Sequence, residues 1–191
     1  NVNYRANIWA LKEEGCTHIL AITACGSLRQ RIAPGNFVFP DQFIDHTTKR
    51  KNTFFEGPDV RHVAMGEPFS FTIRNYLIEA CNSLGFKYHD GGTVITIEGP
   101  RFSTKAESKM FRSWGCDIIN MSTVPEIILA RELDLEYQSI AMSTDYDCWH
   151  ENEKEVSMEM IYAVMKKNVN NVKKLIKQVV PLISIQNKKE D

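Results

Sequence analysis

The stretch Thr17-His18-Ile19-Leu20-Ala21-Ile22-Thr23-Ala24-Cys25-Gly26-Ser27 is nearly all apolar until it meets a glycine and a serine. A run of this kind, without alternation and closed by turn residues, suits a strand buried on both faces. Working outward, Tyr4, Ile8, Trp9 and Leu11 recur at helical spacing before it, and Gly15 is placed to end that helix. After it, the Pro34-Gly35 turn leads into a single strand expected over Asn36–Ile44, and the polar stretch from Asp45 to about Arg61 reads as loop. Phe71–Leu84 carries Ile73, Leu77, Ala80, Cys81 and Leu84 on one helical face, with Gly85 closing it. Thr93–Ile97 is β-branched throughout and predicts a short strand.

The same alternation continues to the end of the chain. Thr104 and Glu107 have capping-box spacing for a helix through Trp114, stopped by Gly115. Asp117–Met121 reads as a strand, Pro125 opens a helix to about Leu133, and Tyr137–Ser143 is again a strand. A last helix is expected from near Ser157 to Pro181, with a fraying Lys-rich tail. Strands alternating with helices, without repeat or linker, predict an α/β fold: one domain with a mixed, largely parallel central sheet flanked by helices.

Composition narrows the function classes. The 191 residues, 43% hydrophobic and 25% charged, are ordinary for a globular domain, and the formal net charge is −1. Nucleic acid is therefore not an expected partner, and Lys49-Arg50-Lys51 reads as a solvated loop. No apolar run reaches the ~20 residues of a membrane helix, so no membrane partner is expected either. Five scattered cysteines without a C-x-x-C pair argue against a disulfide framework and a zinc site. The Asn120-Met121-Ser122 sequon is discounted for want of a signal peptide, and the expected compartment is the cytosol, with the nucleus as a second.

In sheets of this type ligands gather beyond the carboxyl ends of strands. The ends here carry Thr23-Ala24-Cys25-Gly26-Ser27, Glu98-Gly99-Pro100-Arg101-Phe102-Ser103, Asn120-Met121-Ser122-Thr123 and Thr144-Asp145-Tyr146-Asp147. Small residues and hydroxyls from Thr23 to Ser27 could cradle an anion, although they fit neither a P-loop nor a dinucleotide fingerprint. Asp145 and Asp147 could bind a metal, share a proton, cap a helix or sit in a solvated loop; no third ligand of suitable spacing accompanies them. Were Asp145 buried against apolar walls, its pKa would rise and it could donate a proton. Phe102 could face a ring or fill the core, Met121 could touch a sugar or pack, and His62 by itself is a loop histidine.

Taken together, the runs TACGSL from Thr23, EGPRFS from Glu98, NMSTVPE from Asn120 and TDYD from Thr144 resemble the trimeric purine nucleoside phosphorylase family. NYRANIWALKEEGCTH, TIEGPRFSTKAESKMFRSWG and TDYDCW resemble its branch acting on S-methyl-5′-thioadenosine, and the likeness covers Asn1 to about Leu182. The resemblance implies reversible phosphorolysis of that nucleoside to adenine and 5-methylthioribose 1-phosphate, with phosphate as co-substrate and no cofactor or metal. It implies a catalytic pair of Asp145, at purine N7, and Asp147, reading the 6-amino group, with an asparagine in place of Asp145 in the 6-oxopurine branch. It further implies base contacts from Phe102 and Ser103, a substrate contact from Tyr146, a sugar contact from Met121, and phosphate contacts from Thr23, Ala24 and Ser122. A 5′ pocket would come from Met158 and Ile161, and His62 would reach a neighbouring subunit's site in a homotrimer. Residues 1–191 are thus expected to form one nucleoside phosphorylase domain lacking its N-terminal strand and phosphate-loop segment, and for want of that part of the phosphate site to show little or no activity. The competing readings are a purine nucleoside phosphorylase of other specificity and a truncated form that binds nucleoside without catalysis.

Overall fold

A computed structural model of the protein describes residues 2–150 and 158–190; Ser157, the expected start of the last helix, falls outside them. The opening stretch forms β1 (His18–Ser27), paired in parallel along its whole length with β7 (Glu136–Tyr146). It is β7, buried at nine consecutive positions, that is covered on both faces. β1 departs from the expectation: Ile22 is 47% exposed. The helices explain the difference, because α4 (Thr123–Glu132) and α5 (Met158–Glu190) both pack on β7, whereas among the described residues β1 receives no comparable cover. Among the described residues the far edge of β1 pairs only at Gly26 and Ser27, with β6 (Ile118–Asn120) running antiparallel.

The expected Asn36–Ile44 strand is broken at Pro40-Asp41 into β2 (Phe37–Phe39) and β3 (Gln42–His46). Proline cannot donate to a ladder, which places the break there. β2 pairs antiparallel with β7 and parallel with β4 (Tyr88–Asp90), while β3 pairs in parallel with β5 (Thr93–Ile97), itself parallel to β6. The order is β3-β5-β6-β1-β7-β2-β4. β2 and β3 are thus five places apart in the sheet. On a flat sheet that is roughly 24 Å, but two linking residues span at most about 11 Å. The sheet must therefore curl on itself. Asp41 holds the two bends side by side: its backbone N–H donates to the Gly92 carbonyl at 3.2 Å, and its Oδ1 accepts from Gly92 N–H at 3.0 Å.

Helix boundaries follow the local chemistry. α1 (Tyr4–Glu13) starts at Asn3, whose side chain accepts from Ala6 N–H, and α2 (Phe71–Leu84) starts at Ser70, which accepts from Ile73 N–H. α3 (Lys105–Ser113) carries the complete Thr104–Glu107 capping box. α5 continues through Pro181, contrary to the expected stop. The proline leaves the Lys177 carbonyl without its helical donor, but both residues are exposed and water can replace it.

Alternation along β7 divides the core. Tyr137 and Ala141 join Ile8, Ile127 and Leu129 on one side, and Ile140 and Met142 join Leu77, Cys81, Leu175 and Val179 on the other. Arg50 also overturns its sequence reading, with a side chain only 9% exposed. It donates to the carbonyls of Val124 at 2.5 Å, Ile97 at 3.1 Å and Glu98 at 2.9 Å. A planar guanidinium can reach three carbonyls at once, which a solvated lysine beside it cannot.

Candidate active site

β1 and β6 meet for two residues and then separate, and a cavity of about 530 Å³ opens beside that parting. Its walls are Thr23–Gly26 of β1, Asn120–Ser122 at the end of β6, Thr144 and Asp145 of β7, and Phe102, Ser103 and Asp147 from the loops. Because β6 runs antiparallel to β1, the site lies along the second half of β1 and not at one shared carboxyl edge.

A bulge sets the acidic end. Cys25 pairs with Ser143 but Gly26 pairs with Asp145, so Thr144 is an extra residue on β7. Bulges re-aim the side chains that follow. Asp145 is thereby turned toward Gly26, where a Cβ would lie 3.2 Å from its Oδ2 and 3.0 Å from Ile119. Any larger residue would require Ile119 or the carboxyl to give way. Asp145 is 6% exposed, and burial pushes its pKa from 3.8 up to about 6, against the lowering effect of the Thr144 hydroxyl and with a smaller push from the Asp147 charge. The Thr144 hydroxyl lies 2.6 Å from Asp145 Oδ1 and 3.2 Å from the Cys25 carbonyl. Its single proton can go to either, so a neutral Asp145 is accommodated as well as an ionised one.

Asp147 is held differently. Ser103 Oγ lies 2.7 Å from each of its carboxylate oxygens, and its backbone N–H donates to the Ser27 carbonyl at 3.0 Å. Ser103 and Phe102 hang on the loop between β5 and α3, which Arg101 ties down through two bonds to Glu107 at 2.7 and 2.6 Å. Phe102 is 39% exposed at the rim. Gly99 in the same loop has φ +66°, and a Cβ there would overlap Met121 Sδ at 2.5 Å, so this glycine gives Met121 its place on the wall.

The opposite end is uncharged and rich in hydroxyls. Thr23 Oγ1 and Ser122 Oγ are 2.7 Å apart, and Ala24 lines the cavity beside them. Met158, Ile161, Tyr162 and Met165 of α5 form an apolar wall with Val2 and Tyr4. The structure thus brings together Asp145, Asp147, Phe102, Ser103, Met121, Thr23, Ala24, Ser122, Met158 and Ile161.

It does not bring Tyr146 or His62 there. Strand alternation turns Tyr146 away from both aspartates to stack on His150 at 4.8 Å and donate to the Gln30 carbonyl at 3.2 Å. His62 is exposed on the loop between β3 and α2. Two polar residues of the site, Asn120 and Thr144, stand in the strand-end runs quoted from the sequence but were given no role there. Their signal was a buried polar side chain at the end of an otherwise apolar strand. Among the described residues no group of three His, Cys, Asp or Glu side chains is placed to hold a metal ion.

Comparison with known proteins places the chain in a family. The family model described as the phosphorylase superfamily matches residues 1–181. S-methyl-5′-thioadenosine phosphorylase of Xenopus tropicalis is 57% identical over 189 residues, covering 96% of this chain and 67% of its own length. The enzyme of the same name from Danio rerio is 56% identical over 188 residues, with the same two shares, 96% and 67%. A mutant adenosine/methylthioadenosine phosphorylase of Schistosoma mansoni, solved with adenine, superposes with a TM-score of 0.92 at 44% identity, over 96% of this chain and 72% of that one. Another mutant of that enzyme, solved with methylthioadenosine, has a TM-score of 0.90 at 42% identity, over 96% of this chain and 70% of that one. The chain spans about two thirds of the length of these sequence relatives. With a buried acid facing a hydroxyl pair across one cavity, and these likenesses along nearly all of its length, the chain belongs to the phosphorylase superfamily.

Proposed function

We propose that the chain carries out reversible phosphorolysis of S-methyl-5′-thioadenosine, giving adenine and 5-methylthioribose 1-phosphate. The observation that carries this reading is Asp145, a buried carboxyl poised at about 6, across one cavity from the Thr23–Ser122 hydroxyl pair. A phosphate oxygen held by those hydroxyls attacks the anomeric carbon as the bond to purine N9 breaks. The bond's electron pair passes into the purine, which leaves as neutral adenine when Asp145 gives its proton to N7. A pKa near the working pH lets the group be protonated before the step and give the proton up during it. Asp147, held by Ser103, accepts from the 6-amino group. A 6-oxopurine offers no proton there, which favours adenine nucleosides. The apolar wall of Met158, Ile161 and Met165 suits a methylthio group, since a charged 5′ substituent would lose its hydration against it.

Phosphate is a co-substrate in this reading and no cofactor takes part. The open rim by Phe102 and Tyr162 and the exposed His62 fit a homotrimer in which neighbouring subunits cover one another's sites; the cytosol or nucleus is the compartment we propose for it. The test is cleavage of methylthioadenosine, adenosine and inosine with and without phosphate. Phosphate-dependent release of adenine, slow in this chain and with inosine the poorest substrate, is expected; a preference for inosine overturns the assignment of the two aspartates.

A further inference from the structure

Asn120, the last residue of β6, is 5% exposed, and its amide is engaged at both ends. Thr96 on the neighbouring β5, fully buried, donates its hydroxyl proton to Asn120 Oδ1 at 2.8 Å. The amide NH2 then faces the other way, donating to Thr123 Oγ1 at 2.7 Å and to Thr23 Oγ1 at 3.4 Å. Thr23 is the inner member of the hydroxyl pair, 2.7 Å from Ser122 Oγ and 3.0 Å from the Ala24 carbonyl.

Proton counting gives this chain a direction. Two hydroxyls have two protons, and one is spent between Thr23 and Ser122. If Thr23 gives its proton to the Ala24 carbonyl and accepts from Ser122, neither hydroxyl has a proton for an anion. If Thr23 accepts from Asn120 and gives its proton to Ser122, the Ser122 proton is free to point into the cavity. Thr23 Oγ1 can accept twice, so the Asn120 N–H is compatible with both arrangements; it fixes where Thr23 Oγ1 sits, an arriving anion that needs the Ser122 proton selects the second arrangement, and the chain of aligned donors then polarises its last member.

We propose that Asn120, backed by Thr96, is a positioning residue for the oxyanion subsite, orienting the Thr23–Ser122 pair so that a hydroxyl proton faces the phosphate. The inference rests on the phosphate reading of that subsite. Its action runs through Thr23, so it bears on phosphate and not on the nucleoside.

Thr96→Val, Asn120→Ala and the double variant of the full chain separate this role from plain packing. Binding of inorganic phosphate is measured by titration calorimetry, and KM is measured for phosphate and for methylthioadenosine. Phosphate affinity should fall roughly threefold for Thr96→Val and roughly tenfold for Asn120→Ala, with the nucleoside KM within about twofold of wild type. The double variant should be no weaker than Asn120→Ala, because both changes break one relay. Equal losses for both substrates, or losses that multiply in the double variant, overturn the role. Should Asn120→Ala fail to fold, the near-isosteric Thr96→Val decides alone, and unchanged phosphate affinity in it sinks the proposal. A wild-type chain that binds phosphate but does not cleave methylthioadenosine defeats the proposed reaction while the binding arm still judges Asn120. A chain that binds no phosphate overturns both.

Discussion

Replacing Asp145 with asparagine should make the protein more stable and less active, and the pH dependence of the gain can be worked out beforehand. In the folded chain the carboxyl is pushed from 3.8 to about 6 by burial. About two units at ~1.36 kcal/mol each come to roughly 3 kcal/mol. A raised folded pKa means that the native state holds the proton more tightly than the unfolded chain does. The group's contribution is therefore fully present below about pH 4, is lost as the pH rises through about 6, and stays lost above that. Asparagine has the same shape, keeps an oxygen for the Thr144 hydroxyl at 2.6 Å, and never ionises. Because its new amide also needs a partner, roughly 1–3 kcal/mol should be recovered at about pH 8 and little at about pH 4. For a chain of this size that is a rise in melting temperature of about 3–10 °C. Thermal melts of both proteins from about pH 4 to about pH 8, followed by circular dichroism, measure it. A melting difference that does not change with pH refutes burial as the cause of the shift. Turnover of methylthioadenosine should fall ~10²- to ~10⁴-fold, the range of a lost general acid, and full activity excludes proton delivery by this residue.

Ser103→Ala removes the hydroxyl that bridges both oxygens of Asp147. The ratio of kcat/KM for methylthioadenosine to that for inosine should fall roughly tenfold, with melting nearly unchanged, and direct competition between the two nucleosides checks it. Arg50→Ala leaves the carbonyls of Ile97, Glu98 and Val124 without their donor and should cost about 3 kcal/mol in urea unfolding. Arg50→Lys should recover less than half of that, since an ammonium cannot span all three; full recovery would show that charge alone matters.

Much of the fold was legible because local chemistry decides it. The Thr104–Glu107 box and the buried stripe of α2 express a cap and a period that need no distant partner, whereas the apolar run of β1 announced a strand but not which of its residues stay exposed. The curled sheet was not legible. It depends on β2 pairing with β7 about 100 residues later, and the three-residue β4 carries no pattern of its own. Arg50 was misread for a related reason: a basic triplet looks solvated until the carbonyls that receive its middle member are known. At the site, the acidic pair and the hydroxyls were visible as residue types at strand ends. Strand alternation puts Asp145 and Tyr146 on opposite faces, but which face meets the cavity depends on the bulge at Thr144 and the room beside Gly26, features of register that no single sequence displays. Thr96 and Asn120 were hidden likewise, because a polar atom buried in a strand declares its purpose only through its partner.

The pairing of β1 with β7 also fixes a schedule. His18 pairs with Glu136, about 120 residues further along, and every rung of that ladder spans a similar distance. Closing so long a loop must precede any gain from the central pair, which predicts slow folding. During synthesis at ~5–20 residues per second, β1 leaves the ribosome roughly 6–24 s before its partner exists. For that interval an apolar strand waits with both edges bare, a natural ligand for chaperones and a seed for misassembly if they are scarce.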